Sequence, residues 1–198
     1  MRYLALFAYF LSFPLYAAPQ IGSPVANFTL SDSWGNPVEL SDFLGKHVVL
    51  EWINPDCPAV KRHYELKTMQ NLAYEYLSYD VVWLSINSTH YMTQEDNQRW
   101  RQLNQIFYRI LDDREGLVGQ ALQAQITPQV FILDPQGTLV YKGAVDNAPQ
   151  GVATFNYVEA ALQELLTDQP ITYPETQAYG CAVKYPAQML NLSAHHLE

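Results

Sequence analysis

The chain has 198 residues, 48% of them hydrophobic and 13% aromatic, which is apolar material enough for one packed domain with short extensions. Charged residues make up only 16%, which excludes wholesale disorder. The formal net charge of −9 is spread along the chain with no basic stripe, which excludes nucleic acid as a partner and is most simply a solubility device.

Residues 1–17 read as a secretory signal peptide. Met1-Arg2 is a positive start, Tyr3 to Leu15 is uncharged and apolar, and Ala17-Ala18 are small residues suited to cleavage. The apolar run is shorter than the roughly 20 residues of a spanning helix, and Pro14 interrupts it. An uncleaved anchor is the alternative. No later segment could span a bilayer, so the mature protein is expected to be exported, periplasmic or secreted, with no stable membrane span.

From Ile21 the pattern alternates in short pieces. Val25 to Leu30 reads as a strand, Gly35-Asn36 as a turn, and Val38 to Leu40 as a second extended piece. His47 to Ile53, rich in β-branched and aromatic residues, reads as a buried strand ended by Asn54-Pro55-Asp56. Pro58 suits the first turn of a helix. Val60, Tyr64, Met69, Leu72, Tyr76 and Leu77 then mark one apolar face through Tyr79. Asp80 to Asn87 is a second core strand. Gln94 to Ile110 reads as a helix capped by Thr93, with Trp100, Leu103 and Phe107 on one face. Gln129 to Asp134 is a third strand, and Pro135-Gln136-Gly137 turns it into Leu139 to Lys142 as a hairpin. Phe155 to Leu166 is a final helix with Tyr157, Val158, Ala161, Leu162 and Leu165 inward. This order predicts an α/β domain over residues 18–168, its mixed sheet parallel in the first pair and antiparallel in the last. Residues 169–198 read as an ordered tail that carries Cys181, Tyr179 and Tyr185.

Cys57 and Cys181 are the two cysteines. In an oxidising compartment they can pair with each other. They have no metal-ligand spacing and no accompanying Cys/His cluster, so no metal is expected; a copper site with His63 or His90 lacks the close cysteine pair it needs. Cys57 stands where a buried strand ends and a helix begins. Free N–H groups and the positive end of the helix dipole stabilise a thiolate there, and the thiolate is the nucleophile. The alternative is one half of a static disulfide. Lys61 and Arg62, one turn on, either add positive potential or are solvated. Glu51 either faces inward and moves protons or points outward. Trp52, Trp83 and Trp100 read as core, and His195-His196 as a loose end.

A family resemblance rests on the order of several short segments. They are Gly22 to Ala26 with Phe28, Leu30, Asp32, Gly35 and Asn36; Leu40-Ser41-Asp42-Phe43; Gly45-Lys46; Val48-Val49-Leu50 with Trp52; Asp56-Cys57-Pro58; and Val60-Lys61. Ile126-Thr127-Pro128, Val130-Phe131-Ile132, Asp134 with Gly137, and Gly143-Ala144-Val145-Asp146 continue it. The stretch from Ile21 to Leu166 resembles the redoxins, which include the peroxiredoxins of alkyl hydroperoxide reductase and thiol-specific antioxidant type and the exported thiol–disulfide oxidoreductases. The resemblance implies a thioredoxin-like fold, a central mixed β-sheet flanked by helices. It implies an oxidoreductase site at Cys57, a cis Pro128, and substrate contacts from Thr127, Pro128, Trp52 and Asn54. It also implies a protein disulfide or thiol, or a peroxide, as substrate, an upstream thiol reductant, and no cofactor. An ordinary strand-entry proline is the alternative for Pro128. Two positions depart from the pattern: Asn54 replaces the first cysteine of a CxxC pair (or a peroxiredoxin Thr or Ser), and Leu50 replaces a peroxiredoxin proline. They argue against efficient peroxide reduction and exclude exchange through an adjacent cysteine pair. The tail Gly180-Cys181-Ala182-Val183-Lys184-Tyr185 resembles that of an exported redoxin subgroup. Its thiol either resolves an oxidised Cys57 or clamps the tail permanently, a clamp worth roughly 4 kcal/mol by chain entropy.

Overall fold

The structure, a computed structural model, describes residues 19–187; the expected signal segment and His195-His196 lie outside them. The chain begins with β1 (Thr29–Asp32) and β2 (Pro37–Glu39), joined by a turn in which Asp32 Oδ1 accepts the N–H groups of Trp34 and Asn36. The strand expected over Val25–Leu30 starts at Thr29 instead. The Gly22 and Val25 N–H groups are bonded to the Leu139 and Gly137 carbonyls, which draws this stretch onto a different part of the fold.

β3 (His47–Ile53) runs as its sequence predicts. Its alternation sends Val49, Glu51 and Ile53 to one face of the sheet and Val48, Leu50 and Trp52 to the other, and all six are buried. The single helix expected from Pro58 to Tyr79 is two: α1 (Pro58–Glu65) and α2 (Thr68–Glu75), followed by a 3-10 turn at Tyr76–Tyr79. Lys67 takes a left-handed φ of 58°, which breaks the helix and redirects it so that Met69, Leu72 and Ala73 reach the core. β4 (Val81–Asn87) pairs in parallel with the whole of β3.

α3 (Gln94–Leu103) is capped by Thr93, whose side chain accepts the Asp96 N–H while Asp96 accepts the Thr93 N–H. It stops well short of Ile110. Gln105 is left-handed, Leu103 and Phe107 are exposed, and Ile110 lies inside β5 (Arg109–Asp112), which the sequence reading absorbed into the helix. Only Trp100 of the expected face packs inward, edge-on against Tyr64 at 5.2 Å. α4 (Leu117–Leu122), the short β6 (Ile126–Thr127), β7 (Gln129–Leu133), β8 (Leu139–Gly143), α5 (Tyr157–Leu166) and β9 (Cys181–Ala182) complete the order.

The main sheet has the order β2-β1-β5-β4-β3-β7-β8; β6 and β9 form a separate pair. β3 and β4 are parallel and β7 and β8 antiparallel, as expected; β5 adds a third parallel strand beside β4, and β7 runs antiparallel to β3. Both crossovers, β3 to β4 and β4 to β5, step the same way across the sheet. Right-handed connection therefore puts α1, α2 and α3 on one face. α5 joins them through Val158, Ala161 and Leu162, and α4 covers the opposite face through Val118 and Leu122. This is the thioredoxin-like arrangement, and it leaves the carboxyl end of β3 pointing at the start of α1. No helix among the described residues is long and apolar enough to cross a membrane.

Candidate active site

The β3–α1 junction is a tight turn. The Cys57 N–H donates to the Asn54 carbonyl at 2.9 Å, and the Asn54 side chain accepts the Asp56 N–H at 2.9 Å. Asn54 is thus buried and spent on shaping the loop. Cys57 is the N-cap of α1 with extended backbone, and Pro58 occupies the first helical position, where no N–H partner is lost. Cys57 thus sits at the positive end of the α1 dipole, although its sulfur makes no capping hydrogen bond to the first turn.

Cys57 is joined to Cys181 by a disulfide that spans 124 positions, with the two Cα atoms 5.8 Å apart. The Thr127–Pro128 peptide is cis, and the Thr127 carbonyl oxygen lies 3.2 Å from Cys57 Sγ. Thr127 pairs with Cys181 in the β6–β9 ladder, and its hydroxyl donates to the Cys181 carbonyl at 3.3 Å. Four of the residues singled out in the sequence, Cys57, Cys181, Thr127 and Pro128, therefore meet at one point, with Asn54 in the adjoining turn. Trp52 does not join them. It lies on the opposite face of β3, fully buried, edge-on to Phe131 at 5.1 Å and donating to Ser88 Oγ at 3.0 Å. Strand alternation decides this: Trp52 faces away from Val49 and Ile53, the face on which Cys57 packs.

Cys57 is 1% exposed, while Cys181 is partly open to solvent. The tail covers the site. Residues 174–176 run beside β8, where the Lys142 N–H donates to the Pro174 carbonyl and the Thr176 N–H to the Lys142 carbonyl. Tyr179 then crosses α1. Its phenol donates to Asp146, receives the Arg62 guanidinium at 2.6 Å, and lies 3.1 Å from His63 Nε2. Burial, then the bond to Asp146, holds this phenol well above the usual tyrosine range. Gly180 turns the chain towards Cys181 at φ 135°, and a Cβ there would run into the Thr127 carbonyl. Beyond Cys181, the Val183 N–H donates to the Gln125 carbonyl, and the Tyr185 hydroxyl donates to the Ala124 carbonyl at 2.6 Å. Sequence reasoning named Tyr179 and Tyr185 only as tail residues. The usable signal was two tyrosines bracketing the tail's cysteine.

The lesser candidates separate in the same way. Lys61 is solvent-exposed, whereas Arg62 is drawn into the tail contact. His63 is buried, and desolvation lowers it to about 4, so the ring is neutral near pH 7. His90 stacks edge-on against Tyr91 on the surface, and Tyr91 donates to Asp56 at 3.1 Å. Glu51 faces inward. It accepts from Tyr64 at 2.9 Å, Trp83 at 2.8 Å and Ser85 at 3.1 Å. Burial pushes its carboxyl up to about 7 against the pull of those hydrogen bonds.

The fold agrees with that of known structures. The structure is similar to a hypothetical protein from Sinorhizobium meliloti at 24% identity and a TM-score of 0.78, over 86% of this chain and 97% of that one. It is similar to an uncharacterized conserved protein from Geobacillus kaustophilus at 26% identity and a TM-score of 0.78, over 85% and 93%. It also resembles the peroxidoxin BcpB from Mycobacterium tuberculosis at 19% identity and a TM-score of 0.57, over 75% and 95%. No curated protein matches the chain. Residues 21–142, which carry every main-sheet strand but the last residue of β8 together with Cys57 and Pro128, match the AhpC/TSA family, and to that family the chain belongs.

Proposed function

We propose that this protein is an exported thiol–disulfide oxidoreductase or peroxiredoxin-like antioxidant protein, with Cys57 as nucleophile and Cys181 as resolving thiol. The observation that carries the proposal is the Cys57–Cys181 bond seated at the N-cap of α1 against Thr127 and cis Pro128. In the reduced protein, Cys57 would form a thiolate stabilised by the first turn of α1. It attacks a peroxide, giving a sulfenic acid, or a disulfide, giving a mixed disulfide. Cys181 then attacks the Cys57 sulfur and releases water or the substrate thiol. The return step falls to an external thiol reductant. Cys181 is the sulfur open to it, and attack there expels Cys57, the better-stabilised leaving thiolate. Electrons pass between thiols, and no cofactor is required. Residues 18–168 would form the redoxin domain and 169–198 its resolving tail, after loss of a signal at 1–17.

Cys57→Ser abolishes turnover of peroxide and disulfide substrates, and Cys181→Ser accumulates a mixed species on Cys57 visible by mass spectrometry. Full activity in the Cys57→Ser protein defeats the proposal. Recovery of the full-length chain, unshortened and inside expressing cells, defeats the export part.

A second reading, a non-catalytic binding module with a static disulfide, is favoured by the two tyrosine anchors flanking Cys181. Equilibration with a glutathione series separates the readings. A potential far below about −300 mV marks a structural bond, and one nearer −200 mV a working one.

A further inference from the structure

β9 contributes only two residues to its ladder, and a two-stranded pair of that length is marginal alone. Beyond it, backbone bonds at Val183 and Lys184 hold the tail on the C-terminal side of Cys181; on the N-terminal side the hold falls to Tyr179. Tyr179 is two positions upstream, and two residues span at most about 7 Å. Its phenol is clasped by three side chains: Asp146, which accepts from it; Arg62, which donates to it at 2.6 Å; and His63, 3.1 Å away. The Arg62 guanidinium also lies 5.5 Å from the centre of the Tyr179 ring and 3.7 Å from Asp146. Arg62 and His63 belong to α1, the helix that Cys57 caps. The clasp thus ties the tail to the very element that carries the other half of the disulfide.

We propose that Tyr179 is a positioning residue: its clasp by Asp146, Arg62 and His63 sets the effective concentration of the Cys181 sulfur at Cys57. It thereby sets the reduction potential of the pair and the rate at which Cys181 resolves an oxidised Cys57. The rate part rests on the redox reading above; the potential part does not. In resolution, the Cys181 thiolate attacks the Cys57 sulfur. Where Cys57 has taken the terminal oxygen of a hydroperoxide, the S–S bond forms as the S–O bond breaks, and hydroxide leaves with a proton as water. Where Cys57 holds a substrate in a mixed disulfide, the new S–S bond replaces the old and the substrate thiolate leaves. Both steps are intramolecular, so their rates scale with how often the sulfur is in place.

Tyr179→Phe keeps the ring and its contact with Arg62 but removes the hydroxyl. Equilibrated against glutathione, it is expected to form the Cys57–Cys181 bond with an equilibrium constant about tenfold lower, a shift of about 30 mV to more positive potential. Resolution of oxidised Cys57 slows by a similar factor. The first reaction of Cys57, read in a Cys181→Ser background with and without Tyr179→Phe, stays the same. Asp146→Asn loosens the clasp from the body side and is expected to shift the potential in the same direction by less; it also serves if Tyr179→Phe does not fold. An unchanged potential in either folded variant overturns the inference. So does an equal loss in the first reaction, which would make Tyr179 a general support of the fold. A shifted potential in a protein whose Cys57→Ser form keeps full turnover would sink the redox reading and leave the clasp standing.

Discussion

The two cysteines reach one bond from regions built by different means. Cys57 is placed by the sheet: β3 is paired along its whole length with β4 and along most of it with β7, and Cys57 follows it by a four-residue turn. Cys181 is placed by a short tail ladder and by side chains on either side of it. Its strand is two residues long, and its position depends on Tyr179 in the α1 clasp and on Tyr185, whose ring fills the space over Gly116 and Gly119. The first region is held by many cooperative backbone bonds and a core, so single changes are shared out. The second is held by a few polar contacts and one covalent link, so each change is felt directly.

Four measurements sharpen or break this contrast. The largest effect is expected from Cys181→Ser, which removes the cross-link over 124 positions. Urea unfolding should show a loss of about 4 kcal/mol by chain entropy, with the far-UV spectrum of the body intact. An unchanged midpoint would mean that the tail already holds itself.

The second test sets a buried acid of the body against a buried base of the clasp. Glu51 titrates at about 7 in the folded protein and 4.5 unfolded, so its stabilising contribution is complete below pH 4.5 and lost as pH rises through 7. His63 titrates at about 4 folded and 6.5 unfolded, so its contribution is complete above 6.5 and lost as pH falls through 4. Each amounts to about 3 kcal/mol. The slopes oppose, and stability of the native sequence should be nearly flat between pH 4.5 and 6.5. Glu51→Gln should uncover stability that rises with pH, and His63→Gln stability that falls with it. Parallel slopes in the two variants would refute the assignment.

Gly180→Ala comes third. A left-handed φ with no room for a Cβ should cost about 2 kcal/mol, borne by tail docking, and should lower the fraction of disulfide at a fixed glutathione ratio while leaving body stability unchanged. The smallest effect, about 1 kcal/mol, is expected for Tyr185→Phe, which loses one hydrogen bond to Ala124 but keeps its ring in place. Faster proteolysis of the tail, with an unchanged body, is the readout.

The features legible in advance were those that neighbouring residues decide. A β-branched run bounded by Asn54-Pro55 gave β3; Pro58 gave the start of α1; Thr93 gave the cap of α3; and Pro135-Gln136-Gly137 gave the β7–β8 hairpin. Cys57 at a strand–helix junction followed from the same local signals, and cis Pro128 from the redoxin-like order of segments. Where local signals were ambiguous, the reading failed. Helical spacing ran on through Leu103 and Phe107 because an apolar residue of a strand and one of a helix look alike until the sheet claims Ile110.

By itself, then, the chain's order of residues determined the fold class and the thiol at the head of α1, since these depend on neighbours within a few positions and on the redoxin-like order of segments. Tertiary structure alone decided that Glu51 faces inward and Trp52 away from the site, that Lys67 breaks a helix, and that Tyr179 pins Cys181 to α1. Those outcomes depend on contacts between residues up to 117 positions apart. They turn on which face of a strand meets which helix and which phenol finds a buried carboxylate, and long-range packing sets both.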